Sequence, residues 1–245
     1  MKINIFNYLI ILSLVLFSCK GNKGTVQQDG QTQKKDTVKM ATTLAFDPAT
    51  LPEEPVFDIN TNIGTIRIKL YKETPKHRDN FVKLASERFY DNILFHRVIN
   101  GFMIQTGDPL TKDTINVAKY GTGGPGYTIP AEIISKFKHK KGAIAAARRG
   151  NPGNPNKESS GSQFYIVQDA NACKSLDGEY TIFGETISGI QLVDQIASMQ
   201  TDKRDRPLSD VRIMSIVPVI EAKPATEAKP ATPVANGATG KPAAK

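Results

Sequence analysis

Tryptophan is absent from this 245-residue chain, cysteine occurs twice and histidine three times. Two cysteines cannot build a disulfide scaffold, and no spaced Cys/His cluster marks a zinc site. P-loop, GxSxG and HExxH patterns are missing as well, which excludes the P-loop phosphate-binding, serine-hydrolase and zinc-protease designs. No metal or cofactor is therefore expected. Glycine (19) and proline (15) stand near average counts, so a collagen-like or linker-only chain is excluded. Hydrophobic residues at 39% and charged residues at 23% are ordinary for a globular protein, which excludes wholesale disorder.

The formal net charge of +8 raises the question of nucleic acid, and its distribution answers it. Residues 1–46 hold six lysines against two aspartates, and the tail from Glu221 holds four lysines against two glutamates. The stretch between is nearly balanced. A basic nucleic-acid face on the folded part is not supported.

The ends read as address and tether. Lys2 is followed by an apolar run from Tyr8 to Phe17, too short for a membrane span of about 20 residues but suited to an export signal. Leu16-Phe17-Ser18-Cys19 resembles the bacterial lipobox, which makes residues 1–18 a lipoprotein signal peptide and Cys19 the lipidated (palmitate-bearing) N-terminus. Acyl chains on Cys19 would anchor the chain to a membrane at about 0.8 kcal/mol per buried methylene. The expected location is the bacterial cell envelope, on the periplasmic face. Residues 19–46 are polar and read as a flexible linker. Residues 221–245, in which Glu221-Ala-Lys-Pro-Ala-Thr226 repeats as Glu227 to Thr232, read as a disordered Lys/Pro/Ala-rich tail.

One domain is left, residues 47–220. Ile66, Ile68 and Leu70 alternate with polar residues, which predicts a strand with one buried face, and Asn62-Ile63-Gly64 offers a hairpin turn back to Val56–Ile59. Val211, Ile213, Ser215, Val217 and Val219 predict a late strand. Thr74 as cap with Pro75 at the first helical position opens a helix whose stripe is Phe81, Leu84, Ala85 and Phe89. A second helix is predicted over Ile190–Ala197. Short strands with only two helices predict a mainly β barrel or sandwich.

Within that domain, Phe95-His96-Arg97-Val98-Ile99-Asn100-Gly101-Phe102-Met103-Ile104-Gln105-Thr106-Gly107-Asp108 resembles the signature block of the cyclophilin family of peptidyl-prolyl isomerases. Gly121 to Gly124, Gly161-Ser-Gln-Phe-Tyr165, and Leu176-Asp-Gly178 with Phe183-Gly184 resemble further blocks of that family, in its order. The resemblance implies a closed eight-stranded antiparallel barrel capped by two α-helices. It also implies X-Pro isomerisation in exported or unfolded polypeptides by a monomer. The alternative is a tethered, non-catalytic chaperone that holds Pro-containing segments.

Isomerisation needs no nucleophile and no proton transfer. The X-Pro bond turns over in tens to hundreds of seconds because its partial double bond must be broken. Twisting it localises the lone pair on the proline nitrogen, so a fixed cation aimed there binds the transition state better than the planar amide. The resemblance gives that role to Arg97, with Phe102 and Gln105 completing the catalytic set. Phe102, Met103, Tyr165 and Leu176 would line the proline socket, Gln105 would bond the substrate backbone, and Ala147 and Arg148 would form the edge on which the peptide lies. His96 and Tyr180 would border it. Many eukaryotic members have Trp at Ser175 and His at Tyr180, so weak cyclosporin binding is implied. Tyr165 stands where Phe is common, and its added hydroxyl needs a partner. His139, in Lys136-Phe-Lys-His-Lys-Lys141, reads as part of a solvated basic turn. Glu132 reads as structural, Cys173 as unreactive, and residues 148–160 as a long loop beside the site.

Overall fold

The structure is a computed structural model in which residues 43–220 are described. The expected signal peptide, Cys19, most of the linker and the tail lie outside the described residues. Ala45 donates its N–H to Ser86 O (2.8 Å), and Phe46 packs against Phe57 (5.7 Å between centroids). The last residues of the expected linker thus rest on the domain.

Nine strands form one antiparallel sheet among the described residues: β1 (Val56–Thr61), β2 (Gly64–Leu70), β3 (Arg97–Ile99), β4 (Met103–Thr106), β5 (Thr128–Ile129), β6 (Ala143–Arg148), β7 (Ser159–Val167), β8 (Ile182–Ser188) and β9 (Ile213–Pro218). Eight lie in the order β3-β4-β7-β6-β8-β2-β1-β9, and the two-residue β5 pairs with β7. The expected closed barrel is corrected here to an open, curled half-barrel. Its end strands β3 and β9 share no ladder; the segments that precede them meet at a single bridge, Leu94 with Arg212. Backbone bonds from Phe95 to Val211 (2.9 Å) and from Ile213 to Ile93 (2.8 Å) hold that contact.

The predicted hairpin forms, with Thr61 opposite Gly64 and Asn62-Ile63 as its two-residue turn. The late strand forms with a different phase. Between Asn60 and Thr61 its pairing with β1 shifts register, Asn60 facing Ser215 but Thr61 facing Ile213. Met214 is the extra residue, so Ile213 and Ile216 are buried while Val217 is exposed. A bulge reverses the alternation that follows it.

Two of three helices were predicted: α1 (Pro75–Ser86) and α3 (Ile190–Ala197), with the single-turn α2 (Ala170–Cys173) between them. The Thr74 side chain does not cap α1. Glu132, far away in sequence, does so by accepting from Lys76 N and His77 N, both at 3.0 Å. A carboxylate there satisfies orphan N–H groups and meets the positive end of the helix dipole. At the other end α1 stops before Phe89. Arg88 turns left-handed (φ +56°), and bonds from Arg88 N to Ala85 O and from Phe89 N to Leu84 O close the end as a Schellman pair. The core centres on Phe81, whose ring lies within about 6 Å of Phe57, Tyr90, Phe164 and Phe183.

Candidate active site

β3 and β4 pair antiparallel with Arg97 opposite Gln105, so both side chains share one face of the sheet. Met103 follows two residues before Gln105 on β4, and Tyr165 faces Gln105 from β7. Strand register therefore gathers residues that the sequence scatters over some seventy positions.

The expected proline socket is a second apolar cluster, separate from the main core. Met103, Tyr165, Ala143, Ala145 and Cys173 form its buried floor, and Phe102, Ala147, Leu176 and Tyr180 pack on it partly exposed. Tyr180 meets Tyr165 edge-on at 5.9 Å. A half-exposed apolar rim over a dry floor suits a pyrrolidine ring that must enter, turn and leave. Ser175 is exposed on the short turn before Leu176.

Arg97 is only half buried, and its Nε lies 3.5 Å from Asp205 Oδ2. Gln105 donates through Nε2 to Gln163 Oε1 at 3.0 Å. Gln163 in turn donates to Gly121 O (3.1 Å) and Gly123 O (2.8 Å). This relay fixes the Gln105 amide and leaves its Oε1 as an acceptor for an incoming peptide N–H. Gln163 was missed as a site residue although it lies inside the block Gly161 to Tyr165; its role appears only when the glycine loop folds over it. Asp108, fully buried, holds the same loop by accepting from Gly123 N at 3.2 Å. Gly107, with φ +93°, lets β4 run close to β7, since a Cβ there would lie 2.1 Å from Ser162 O.

His96 is buried against the glycine loop, and neither ring nitrogen has a partner among the described residues. Burial lowers its pKa to about 4, so the ring is neutral near pH 7.

The Arg148 side chain is not free to receive substrate. Its Nε donates to Glu179 O (2.8 Å), its Nη2 reaches Glu179 Oε2 (3.1 Å), and its guanidinium lies over Tyr180 at 4.5 Å. It braces the rim. Ala147 sits where the β6–β7 register shifts, and the β6 ladder with β8 ends at Ala145. Backbone for an added strand is thus confined to Ala147 and Arg148. The loop that follows is built rather than slack: Asn154 and Glu158 bond each other twice, and Lys157 Nζ reaches Glu179 Oε1 at 2.8 Å.

His139 departs from the solvated turn expected of it. It is buried, with Nδ1 at 2.7 Å from Asp177 Oδ1 and Nε2 at 2.9 Å from Tyr165 Oη. The Asp177 carboxylate only accepts, so Nδ1 carries the proton, and burial lowers the imidazole pKa. Nε2 then accepts from the Tyr165 hydroxyl, whose own pKa burial raises. The extra hydroxyl has its partner. Cys173 stays inert, its pKa raised to about 11 by burial and its thiol facing Phe102 O.

A cavity of about 220 Å³ opens on the other side of Arg97, where His96 and Gln105 face the loop between α3 and β9. Among the described residues no group of three or more His, Cys, Asp or Glu could hold a metal ion.

Comparison with known proteins gives this geometry a family. The family model described as "Cyclophilin type peptidyl-prolyl cis-trans isomerase/CLD" matches residues 56–217. Peptidyl-prolyl cis-trans isomerase B of Streptomyces anulatus is 38% identical over 186 residues, covering 68% of this chain and 98% of that protein. Peptidyl-prolyl cis-trans isomerase CYP71 of Arabidopsis thaliana is 38% identical over 170 residues, of which this chain covers only 24% of the length. Among solved structures, a cyclophilin-type isomerase of Cryptosporidium parvum superposes with a TM-score of 0.61 at 30% identity, covering 69% of this chain and 99% of that one. The same relative was solved in the presence of the dipeptide Ala-Pro. With the matched residues spanning the sheet to within one residue of its end and every strand of the site, the chain belongs to the cyclophilin-type peptidyl-prolyl cis-trans isomerase family, enzyme class EC 5.2.1.8 by family.

Proposed function

We propose that this chain accelerates X-Pro isomerisation in exported polypeptides of the bacterial envelope, with Arg97 binding the twisted amide over the socket of Phe102, Met103, Tyr165 and Leu176. One observation supports this most directly. Arg97 and Gln105 stand opposite each other on β3 and β4, beside an apolar cluster outside the main core. A guanidinium stays charged at every relevant pH and needs no proton partner to act. Gln105, steadied by Gln163, takes the peptide N–H, and the Arg97 guanidinium donates to the proline nitrogen as its lone pair localises. The export signal and the lipid on Cys19 rest on residues 1–19 of the sequence. The exposed Ser175, offering no indole, goes with weak cyclosporin binding.

The test is the isomerisation rate of an Ala-Pro peptide with the full chain and with Arg97→Ala. The parent accelerates the reaction. The variant stays folded, because Arg97 lies at the surface of the sheet, and loses about two to three decades of kcat/KM, the worth of roughly 3–4 kcal/mol in transition-state contact. A folded variant as active as the parent removes Arg97 from the mechanism. Peptide binding without acceleration by the parent leaves the non-catalytic holder of Pro segments.

A further inference from the structure

The 220 Å³ cavity beside Arg97 is lined by none of the socket residues Phe102, Met103, Tyr165 and Leu176, and its walls mix Val117 and Tyr120 with charged groups. Arg204 and Arg206 reach it from the loop between α3 and β9, opposite His96, Gln105 and Tyr120. With Arg97 this places three guanidinium groups around one opening, against the carboxylates of Asp202 in its wall and Asp205 beside it.

Those carboxylates do not saturate the arginines. Arg206 Nε is 3.4 Å from Asp202 Oδ2, and Arg97 Nε is 3.5 Å from Asp205 Oδ2. Elsewhere in the molecule Arg67 grips Asp58 with two bonds of 2.7 and 2.9 Å, the spacing of a full charge-assisted pair. Among the described residues Arg204 has no carboxylate partner; its two terminal nitrogens donate to Ala118 O, both at 3.1 Å, and no other acceptor meets its remaining donors. Counted over these three arginines and two aspartates, one positive charge is left over; Asp113 and Asp210 also act on Tyr120, with Arg212 set against Asp210 at 3.3 Å. The buried His96 ring, with no partner on either nitrogen among the described residues, adds a neutral polar group to the wall.

The cationic wall is also held in place. Asp202 Oδ1 accepts from Arg204 N (2.8 Å) and Arg206 N (3.1 Å), and Asp205 O accepts from Val98 N of β3 (2.8 Å) with Asp205 left-handed at φ +61°. A bridge between Thr201 and Pro207 closes the loop's neck. Little ordering remains to oppose an incoming anion.

We infer that this cavity is a specificity subsite for one acidic side chain, Asp or Glu, carried by the client within two residues of its proline. The single surplus charge matches one carboxylate, and the opening adjoins the Gln105 and Arg97 side chains past which the client backbone runs. The assignment rests on the isomerase reading of the site.

The experiment compares kcat/KM of the full chain on Ala-Pro peptides that carry Glu, Gln or Lys at each of the two positions on either side, by a protease-free exchange measurement. At one position Glu exceeds Gln by about five- to tenfold and Lys falls below Gln, as expected for a partly buried charge-assisted contact. The Glu-to-Gln ratio shrinks towards one with added salt, and again in Arg204→Gln and in Arg206→Gln. Equal rates for Glu and Gln at every position overturn the subsite, as does a preference that both variants keep in full. If no peptide is accelerated, the isomerase reading fails by itself, and the Glu-to-Gln ratio of affinities from calorimetric titration decides the subsite by the same criteria.

Discussion

Tyr165 differs from a phenylalanine by one oxygen, and that oxygen ties the socket floor to a histidine across the sheet. The chain of contacts runs from Asp177 through His139 to the Tyr165 hydroxyl, and the His139 and Tyr165 rings lie nearly parallel, 8° apart. An unpartnered hydroxyl at this depth costs about 1–3 kcal/mol. His139→Leu is therefore expected to loosen the Tyr165 ring and raise KM for Ala-Pro peptides more than it lowers kcat. In a Tyr165→Phe background the same change loses most of its effect, because no hydroxyl remains to be orphaned. A four-way cycle of urea stability and KM checks this, with a coupling of about 1 kcal/mol or more expected. Additive effects would show that His139 acts on the fold alone. None of this was legible in the sequence, where His139 stands among four lysines and reads as solvent-facing.

At the scale of elements, regular alternation was legible and anything fixed by a distant residue was not. The β1–β2 hairpin and α3 need only local chemistry: two-residue turn, period-two alternation, and one apolar helical face. The phase of β9 depends on a bulge against β1, which no pattern within β9 announces. The cap of α1 depends on Glu132, more than fifty residues downstream, so Thr74 looked sufficient from nearby sequence. Glu132 also accepts from His77 Nδ1 at 2.6 Å inside the core. Glu132→Ala leaves two helix N–H groups and a buried imidazole N–H without partners, and is expected to cost about 2–3 kcal/mol. Urea denaturation followed by far-UV circular dichroism measures it; a loss below about 0.5 kcal/mol would mean that water caps the helix equally well. The site itself divides in the same way. Arg97, Phe102, Met103 and Gln105 sit in one contiguous block, whereas Gln163 takes part through the glycine loop, and Arg204 and Arg206 arrive on a loop with no motif.

Across the whole molecule, all three histidines are buried and all three have lowered pKa values, with desolvation as the leading cause. Each binds a proton less readily in the folded chain than near 6.5 in the unfolded one. Their contribution to stability is thus complete above about pH 6.5 and is lost as the pH falls, for His96 down to about 4. Within that window each ring adds a slope of up to about 1.4 kcal/mol per pH unit. The urea midpoint should fall between about pH 7 and pH 5, and His96→Gln should make that fall shallower. The turnover of folded protein should stay level over the same range, because no proton moves in the reaction. An unchanged midpoint would contradict the burial assigned to these rings.

The pairing of β1 with β9 has a mechanical consequence. Phe57 faces Pro218, and Val219 N–H donates to Val56 O at 2.9 Å, so the domain's first strand begins where its last strand ends. A pull that separates residues 55 and 220 acts across this ladder at its open end. It loads one hydrogen-bonded pair at a time, as a zipper is opened, instead of shearing all the pairs together. Each step gives up a bond worth about 1 kcal/mol, and as β9 peels away it draws Val211 off Phe95 and uncovers the start of β3, where Arg97 stands. Tension between the two ends of the domain is thereby transmitted, strand by strand, to the active site.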